Sequence, residues 1–202
     1  MTDDLFLSKG EFMPARKRFQ FQHEGNFFTE LVVHLSWDVR TTEGPPFDLD
    51  AVVFPITPEG KVPTGRFCVY YNNLVSPDQA VQHEGDDLDG SGGGEVVRIH
   101  LNRVSPNVEK LVFAVVIYDA VERHEHFGNV AHTSIKFTAE GHGLLDEHRL
   151  AGNFAKFTGV VVGEVHREAN HWAFQSIDKG YYGGLSEIGT LYGVHFRDTP
   201  PA

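Results

Sequence analysis

The chain has 202 residues, with 17 Lys+Arg against 28 Asp+Glu and a formal net charge of −11 with histidine neutral; that length is a prior for one domain, spanning residues 1–202, around a single core. Its 41% hydrophobic, 12% aromatic and 22% charged residues exclude wholesale disorder. The acidic balance, with a pI of about 5.5, lacks the basic field behind non-specific nucleic-acid affinity, so no nucleic acid and no anionic membrane surface is expected as partner, and cations are the natural ligands.

In chain order, Met1-Thr2-Asp3-Asp4-Leu5 is acidic where a signal peptide is basic, which predicts a cytoplasmic protein. Residues 10–28 form a divergent N-terminal segment, in which Arg16, Lys17 and Arg18 precede Phe19, Phe21, Phe27 and Phe28 without a clean period; the reading is a solvated turn beside a first strand. Strand-length runs rich in Val, Ile, Phe and Tyr follow at Leu31–Trp37, Ala51–Phe54, Phe67–Tyr71, Val96–Leu101, Leu111–Tyr118, Ser134–Thr138, Val160–His166 and Trp172–Ile177, separated by Gly, Pro, Asn and Asp clusters. This predicts an all-β, two-sheet sandwich. The longest run, Leu111–Tyr118, is far short of the roughly 20 residues of a membrane helix, so no membrane insertion is expected. Cys68, the lone cysteine, sits among Phe67, Val69 and Tyr70 as a small buried residue. Only Leu185–Tyr192 has helical spacing, with Leu185, Ile188 and Tyr192 on one face, predicting a short C-terminal helix that caps the sheets. The tail at 198–202 is read as frayed.

The sharpest local feature is His83-Glu84-Gly85-Asp86-Asp87-Leu88-Asp89-Gly90-Ser91-Gly92-Gly93-Gly94-Glu95, five carboxylates and five glycines without a Lys or Arg. Such density is repulsive unless a hard cation compensates it, and calcium takes six to eight oxygens from carboxylates, hydroxyls and carbonyls. Asp87, Asp89, Ser91 and Gly92 fit the opening of an EF-hand loop, but Arg98 stands where the bidentate Glu is required, so the loop is not an EF-hand. A calcium ion held between strands, with Glu95 as closing ligand, is the alternative to a merely acidic hairpin.

If successive strands run antiparallel, Asp38, Asp48 with Asp50, Asn72 with Asn73, Glu95 and Asp119 all arrive at one end of the sandwich. That convergence favours a metal site over turn-forming aspartates. Among the histidines, His124-Glu125-His126 would place two imidazoles on one face of a strand, but no third ligand adjoins them, and a polar turn is the preferred reading. His34, His100 and His166 lie in strand runs and are read as outward-facing or satisfied edge residues. Gly184-Leu185-Ser186-Glu187-Ile188 lacks the closing glycine of a nucleophile elbow, and the glycines at 90–94 precede a strand, not a helix, so no phosphate loop or nucleophile is identified.

Together, Leu7-Ser8-Lys9-Gly10, Leu35-Ser36-Trp37-Asp38-Val39-Arg40-Thr41-Thr42, Phe47-Asp48-Leu49-Asp50-Ala51, Phe67 through Asn73, Ser76-Pro77-Asp78, His83 through Glu95, Leu111 to Ala120, Phe127-Gly128, Gly163-Glu164-Val165-His166-Arg167, Trp172-Ala173-Phe174 and Gly180-Tyr181-Tyr182-Gly183-Gly184-Leu185 resemble the tellurium-resistance TerD family, in that family's order. The resemblance implies a calcium-binding sandwich tied to tellurite, oxidative or phage stress, without established catalysis. It puts the family's acidic elements on Asp48 and Asp50, on Asn72 and Asn73, and on Asp86 to Glu95. Against the family pattern G-D-N-x-T-G-E-G-D-G-D-D-E, the segment Gly85 to Glu95 is two residues shorter, loses three carboxylates in its second half and gains Asp87 and Asp89. One calcium site is therefore expected, with a second weak or missing.

The candidate ligands are Asp48, Asp50, Asp86, Asp87, Asp89 and Glu95, supported by Asn72, Asn73 and Asp119. The expected function is non-enzymatic: calcium orders the acidic loop and presents a surface to a protein partner of a stress system. Two alternatives are a metal-dependent hydrolase on the same rim, with His124-Glu125-His126 as its base, and a cyclic-nucleotide or small-ligand module, suggested by distant slime-mould relatives.

Overall fold

The computed structural model describes residues 18–23, 26–139, 143–150, 152–169 and 171–196; the expectations for residues 7–10, for Arg16 and Lys17 and for the tail at 198–202 lie outside them. The strands are β1 (Arg18–Gln20), β2 (Gln22–His23), β3 (Asn26–Phe27), β4 (Glu30–Ser36), β5 (Leu49–Ile56), β6 (Val81–His83), β7 (Glu95–His100), β8 (Lys110–Ile117), β9 (Ser134–Ala139), β10 (Gly143–Arg149), β11 (Gly159–Glu168) and β12 (His171–Tyr181). Two helices join them, the single turn α1 (Ala120–Arg123) and α2 (Gly184–Leu191). One sheet has the order β1-β12-β11-β8-β5, the other β10-β9-β4-β7-β6, with a separate β2-β3 hairpin, and every pairing is antiparallel. The expected two-sheet all-β sandwich is the architecture observed.

Alternation decides what each strand buries. In β4, Leu31, Val33 and Leu35 face the space between the sheets, where they join Val97, Ile99, Val53, Phe113, Val115, Phe137 and Phe174 in one apolar cluster. β5 and β8 are buried along almost their whole length, because their outer face is covered as well. Val52, Phe54, Ile56, Val112, Ala114 and Val116 form a second cluster with Ile188, against which Leu185, Tyr192 and Phe196 pack. The expected helical face is thus the one α2 buries, and it covers the outer side of one sheet only. This two-sided burial explains why Leu111–Tyr118 reads as an unbroken apolar run.

Two strand expectations need correction, and two strands, β6 and β10, fall outside the expected runs. Phe67–Tyr71 is not a strand: a 3-10 turn at Gly65–Phe67 leads into isolated bridges Val53–Val69 and Tyr70–Asn73. Val53 and Val69 exchange both backbone hydrogen bonds, at 2.9 and 3.0 Å, and the Asn73 side chain donates to the carbonyls of Arg66 and Cys68 at 2.8 and 2.6 Å, curling the segment away from the ladder. β5 extends beyond Ala51–Phe54 at both ends, which puts Asp50 inside the strand. β6 and β10 carry too weak an apolar signal to be read in advance: β6 is three residues long, and β10 (GLLDEHR) is a mostly polar edge strand.

The strand-borne histidines are not the edge residues expected: His100 and His166 stand on the interior strands β7 and β11, with His100 Nδ1 2.9 Å from Glu30 and His166 Nε2 3.0 Å from Glu168, while His166 Nδ1 is buried without a partner. Cys68 is buried, and burial pushes its thiol pKa up. No helix among the described residues is long and apolar enough to cross a membrane.

Candidate metal centre

Four chain ends meet at one end of the sandwich. β4 pairs antiparallel with β7, so Leu35 opposes Glu95; β5 pairs with β8, so Leu49 opposes Ile117. The exit of β4, the entry of β5, the entry of β7 and the exit of β8 therefore share a rim. Leu49 and Ala51 point into the core between the sheets, so Asp48 and Asp50 point to the opposite face of β5 by alternation. The loop between β6 and β7 brings Asp86 to them. One carboxylate oxygen from each of Asp48, Asp50 and Asp86 lies within 4.8 Å of the others.

This cluster is costly without a cation. Asp50 is 1% exposed and Asp48 8%, and Asp48 Oδ1, Asp50 Oδ2 and Glu95 Oε1 are buried with no hydrogen-bond partner. Burial, followed by the charge of Asp86, pushes the Asp48 carboxyl up to about 7. Burial and then the charges of Glu95, Asp48 and Asp86 push Asp50 well above the usual carboxylate range. Three unpartnered buried oxygens on groups held away from ionisation form an arrangement that a positive charge would stabilise. Because the donors are oxygens only, the set suits a hard cation such as calcium or magnesium.

The other candidates are placed differently. Glu95 spans the two sheets: its Oε2 accepts from the Ala51 N–H at 2.6 Å and contacts His83 Nε2 at 3.1 Å, while Oε1 stays unpartnered beside the cluster. Asp87 accepts from the N–H groups of Gly90 and Gly94 at 2.9 and 2.8 Å, and Asp89 from Ser91 at 2.8 Å; both carboxylates shape the loop. Asn73 holds Arg66 and Cys68 as described above, and Asn72 is exposed. Asp119, also exposed, adopts φ 49° at the start of α1, where its carbonyl accepts from Arg123. Glu125 is committed to Arg40 at 2.7 Å, with His124 and His126 exposed on either side of it. Arg98, at the position that ruled out an EF-hand, pairs with Glu84 at 2.7 Å.

The loop is seated by close backbone approach. Gly94 has φ 92°, and a Cβ there would lie 1.9 Å from the Leu35 carbonyl; at Gly90 it would meet the Trp37 indole at 2.8 Å, and that indole donates to the Phe47 carbonyl at 3.0 Å. Gly94→Ala is therefore expected to cost about 2–3 kcal/mol from overpacking and a disfavoured φ, read as a lowered midpoint in thermal unfolding.

Sequence reasoning did not single out His83 as the partner of Glu95, nor Tyr71 and Tyr118. The tyrosines immediately precede Asn72 and Asp119, and Tyr71 packs edge-on to Tyr118 with ring centroids 5.6 Å apart. Burial and the nearby Asp50 charge raise the pKa of the Tyr71 phenol.

Comparison with known proteins bears on the same fold. The TerD domain profile matches residues 12–192. The tellurium resistance protein TerD of Serratia marcescens is 35% identical over 168 residues, covering 82% of this chain and 88% of the relative. General stress protein 16U of Bacillus subtilis is 35% identical over 170 residues, with the same shares. The crystal structure of a homologue of the telluride resistance protein (TerD) from Streptomyces coelicolor A3(2) superposes with a TM-score of 0.71 at 23% identity, covering 83% of this chain and 99% of that one, which establishes the shared fold. With a domain profile across nearly its whole length and relatives this close on the same sandwich, the chain belongs to the TerD family.

Proposed function

We propose that this chain is a non-enzymatic calcium-binding protein of a bacterial stress-response system. Membership of a family whose named members are tellurium-resistance and general stress proteins supports the stress role. The observation that carries the calcium reading is the set of unpartnered buried oxygens on Asp48, Asp50 and Glu95 beside Asp86. Asp48, Asp50 and Asp86 would hold the ion, Glu95 Oε1 stands behind them, and carbonyls or water complete the six to eight oxygens calcium takes. With Asp50 on β5, Asp48 immediately before it and Asp86 on the 83–95 loop, an ion ties the loop to the sheet. The loop tip then presents Leu88, 62% exposed, as part of a surface for a protein partner, and calcium becomes an order–disorder switch.

Thermal unfolding of chelator-treated protein tests this directly. At 100 times its dissociation constant a ligand stabilises by about 2.7 kcal/mol, which at roughly 2–4 °C per kcal/mol for this size raises the midpoint by about 5–11 °C. Calcium is expected to give that rise and magnesium, which demands a tighter octahedral shell, a smaller one. No shift up to millimolar calcium refutes the reading.

A further inference from the structure

A cavity of about 440 Å³ opens beside the carboxylate cluster. Asp50 and Val116 line it in register on β5 and β8, and Thr158 lines it just before β11, whose Gly159 pairs with Val116, so the floor runs across the outer face of the sheet for about 10 Å at the usual strand spacing. Tyr71 and Tyr118 line one end, and Gly184 and Leu185 at the start of α2 the other. Asp50, Asp119 and Glu122 contribute three carboxylates to the lining, which contains no Lys, Arg or His. Asp50 is buried with its Oδ2 unpartnered.

The charges decide what such a cavity accepts. A divalent ion shared by Asp48, Asp50 and Asp86 offsets two of their three charges, and Asp119 and Glu122 add two more carboxylates against the single Arg123 guanidinium beside the Tyr118 ring, so a second positive group is favoured with the ion in place. At the positive end of α2 the Gly183 N–H donates to Glu187 Oε2 at 2.7 Å, so a carboxylate of the chain's own already sits there. The aromatic wall hosts a cation of the chain's own, the Arg123 guanidinium, 5.2 Å from the Tyr118 ring centre.

We propose that this cavity binds a primary alkylammonium group, supplied by a free diamine or polyamine or by a lysine side chain of a protein partner. The ammonium sits against Asp119, Glu122 and the Asp50 edge, and its alkyl chain lies over Val116 towards Leu185. This goes beyond the calcium reading: the two sites share Asp50, but the ammonium occupies the cavity lined by Asp119 and Glu122 and not the space between Asp48, Asp50 and Asp86.

The test is an NMR titration of the full chain, calcium-saturated and again after chelation, with 1,5-diaminopentane and with N-acetyl-lysine methylamide; 1-pentanol and inorganic phosphate are controls. Saturable shifts at Tyr71, Tyr118, Val121 and Leu185 with both amines, and none with the controls, are expected. Glu122→Gln, on an exposed residue outside the cluster, is expected to weaken the amines about fivefold, as for loss of one partly exposed charge contact, and to leave calcium binding unchanged. Tighter binding of the diamine assigns the site to a free polyamine, and tighter binding of the lysine derivative to a partner side chain. Equal response to pentanol, binding of phosphate, or amine affinity untouched in Glu122→Gln overturns the proposal. Amine binding without any calcium response removes the calcium reading alone; a calcium response without amine binding removes this one alone.

Discussion

Glu95→Ala is expected to unfold about 6–20 °C below the parent in thermal denaturation. Glu95 is 1% exposed, and its Oε2 serves the Ala51 N–H at 2.6 Å and His83 Nε2 at 3.1 Å. β5 lies at the edge of its sheet, and at Ala51 the carboxylate of a strand in the facing sheet takes the place of a neighbouring strand. Truncation strands a buried N–H and a buried imidazole and opens a cavity, and breaking a buried charged contact of this type costs about 3–5 kcal/mol. At roughly 2–4 °C per kcal/mol the stated drop follows. Glu95→Gln keeps an acceptor for Ala51 and relieves repulsion on Asp50, so it is expected to lose less than half as much. Equal losses in the two variants would show that the charge, not the hydrogen-bonded bridge, holds the sheets together.

The cation-free protein is expected to lose stability as pH rises, and calcium to abolish most of that loss. Asp48 is raised to about 7, and Asp50 and Glu95 are raised as well, burial being the first cause in each case. A carboxyl whose folded pKa exceeds its unfolded value contributes stability that is complete below the unfolded pKa, near 4, and is lost as pH rises through the folded value. For Asp48 that window runs from about pH 4 to about 7. Chelated protein should therefore show a falling midpoint across this range, while calcium-saturated protein should hold its midpoint at pH 8. Asp50→Asn removes a buried ionisable group from the repulsive cluster, so it should raise the midpoint of chelated protein at pH 8 and abolish the calcium response. A chelated protein whose midpoint climbs from pH 5 to pH 8 would refute the electrostatic account of the rim.

Most strands were readable because their signal is local. Val96–Leu101 alternates, and the structure buries Val97, Ile99 and Leu101 while Val96, Arg98 and His100 face outward. Leu111–Tyr118 announced its burial by length alone. Phe67–Tyr71 misled because its apolar residues are buried by neighbouring elements and not by a ladder: Cys68 joins the cluster under α2 and Val69 the one between the sheets, with one bridge to β5. β10 escaped notice for the converse reason, being hydrogen-bonded along β9 while carrying mostly polar side chains.

The rim was legible as a composition, and its division of labour was not. Asp86, Asp87, Asp89 and Glu95 look equivalent in a sequence, since all are acids in a glycine-rich stretch. The fold separates them: Asp86 meets Asp48 and Asp50, Asp87 and Asp89 bind the loop's own N–H groups, and Glu95 crosses to the other sheet. Hydrophobic period, turn residues and local charge density are short-range properties of the chain, and they sufficed for the all-β class, the α2 face, the family and the acidic rim. Which carboxylates share a cation-sized space, which hold the backbone, and where a carboxylate-lined cavity lies beside them became visible in the folded chain. Those outcomes depend on distances between residues far apart in the chain, fixed by strand register and by the packing of one sheet against the other.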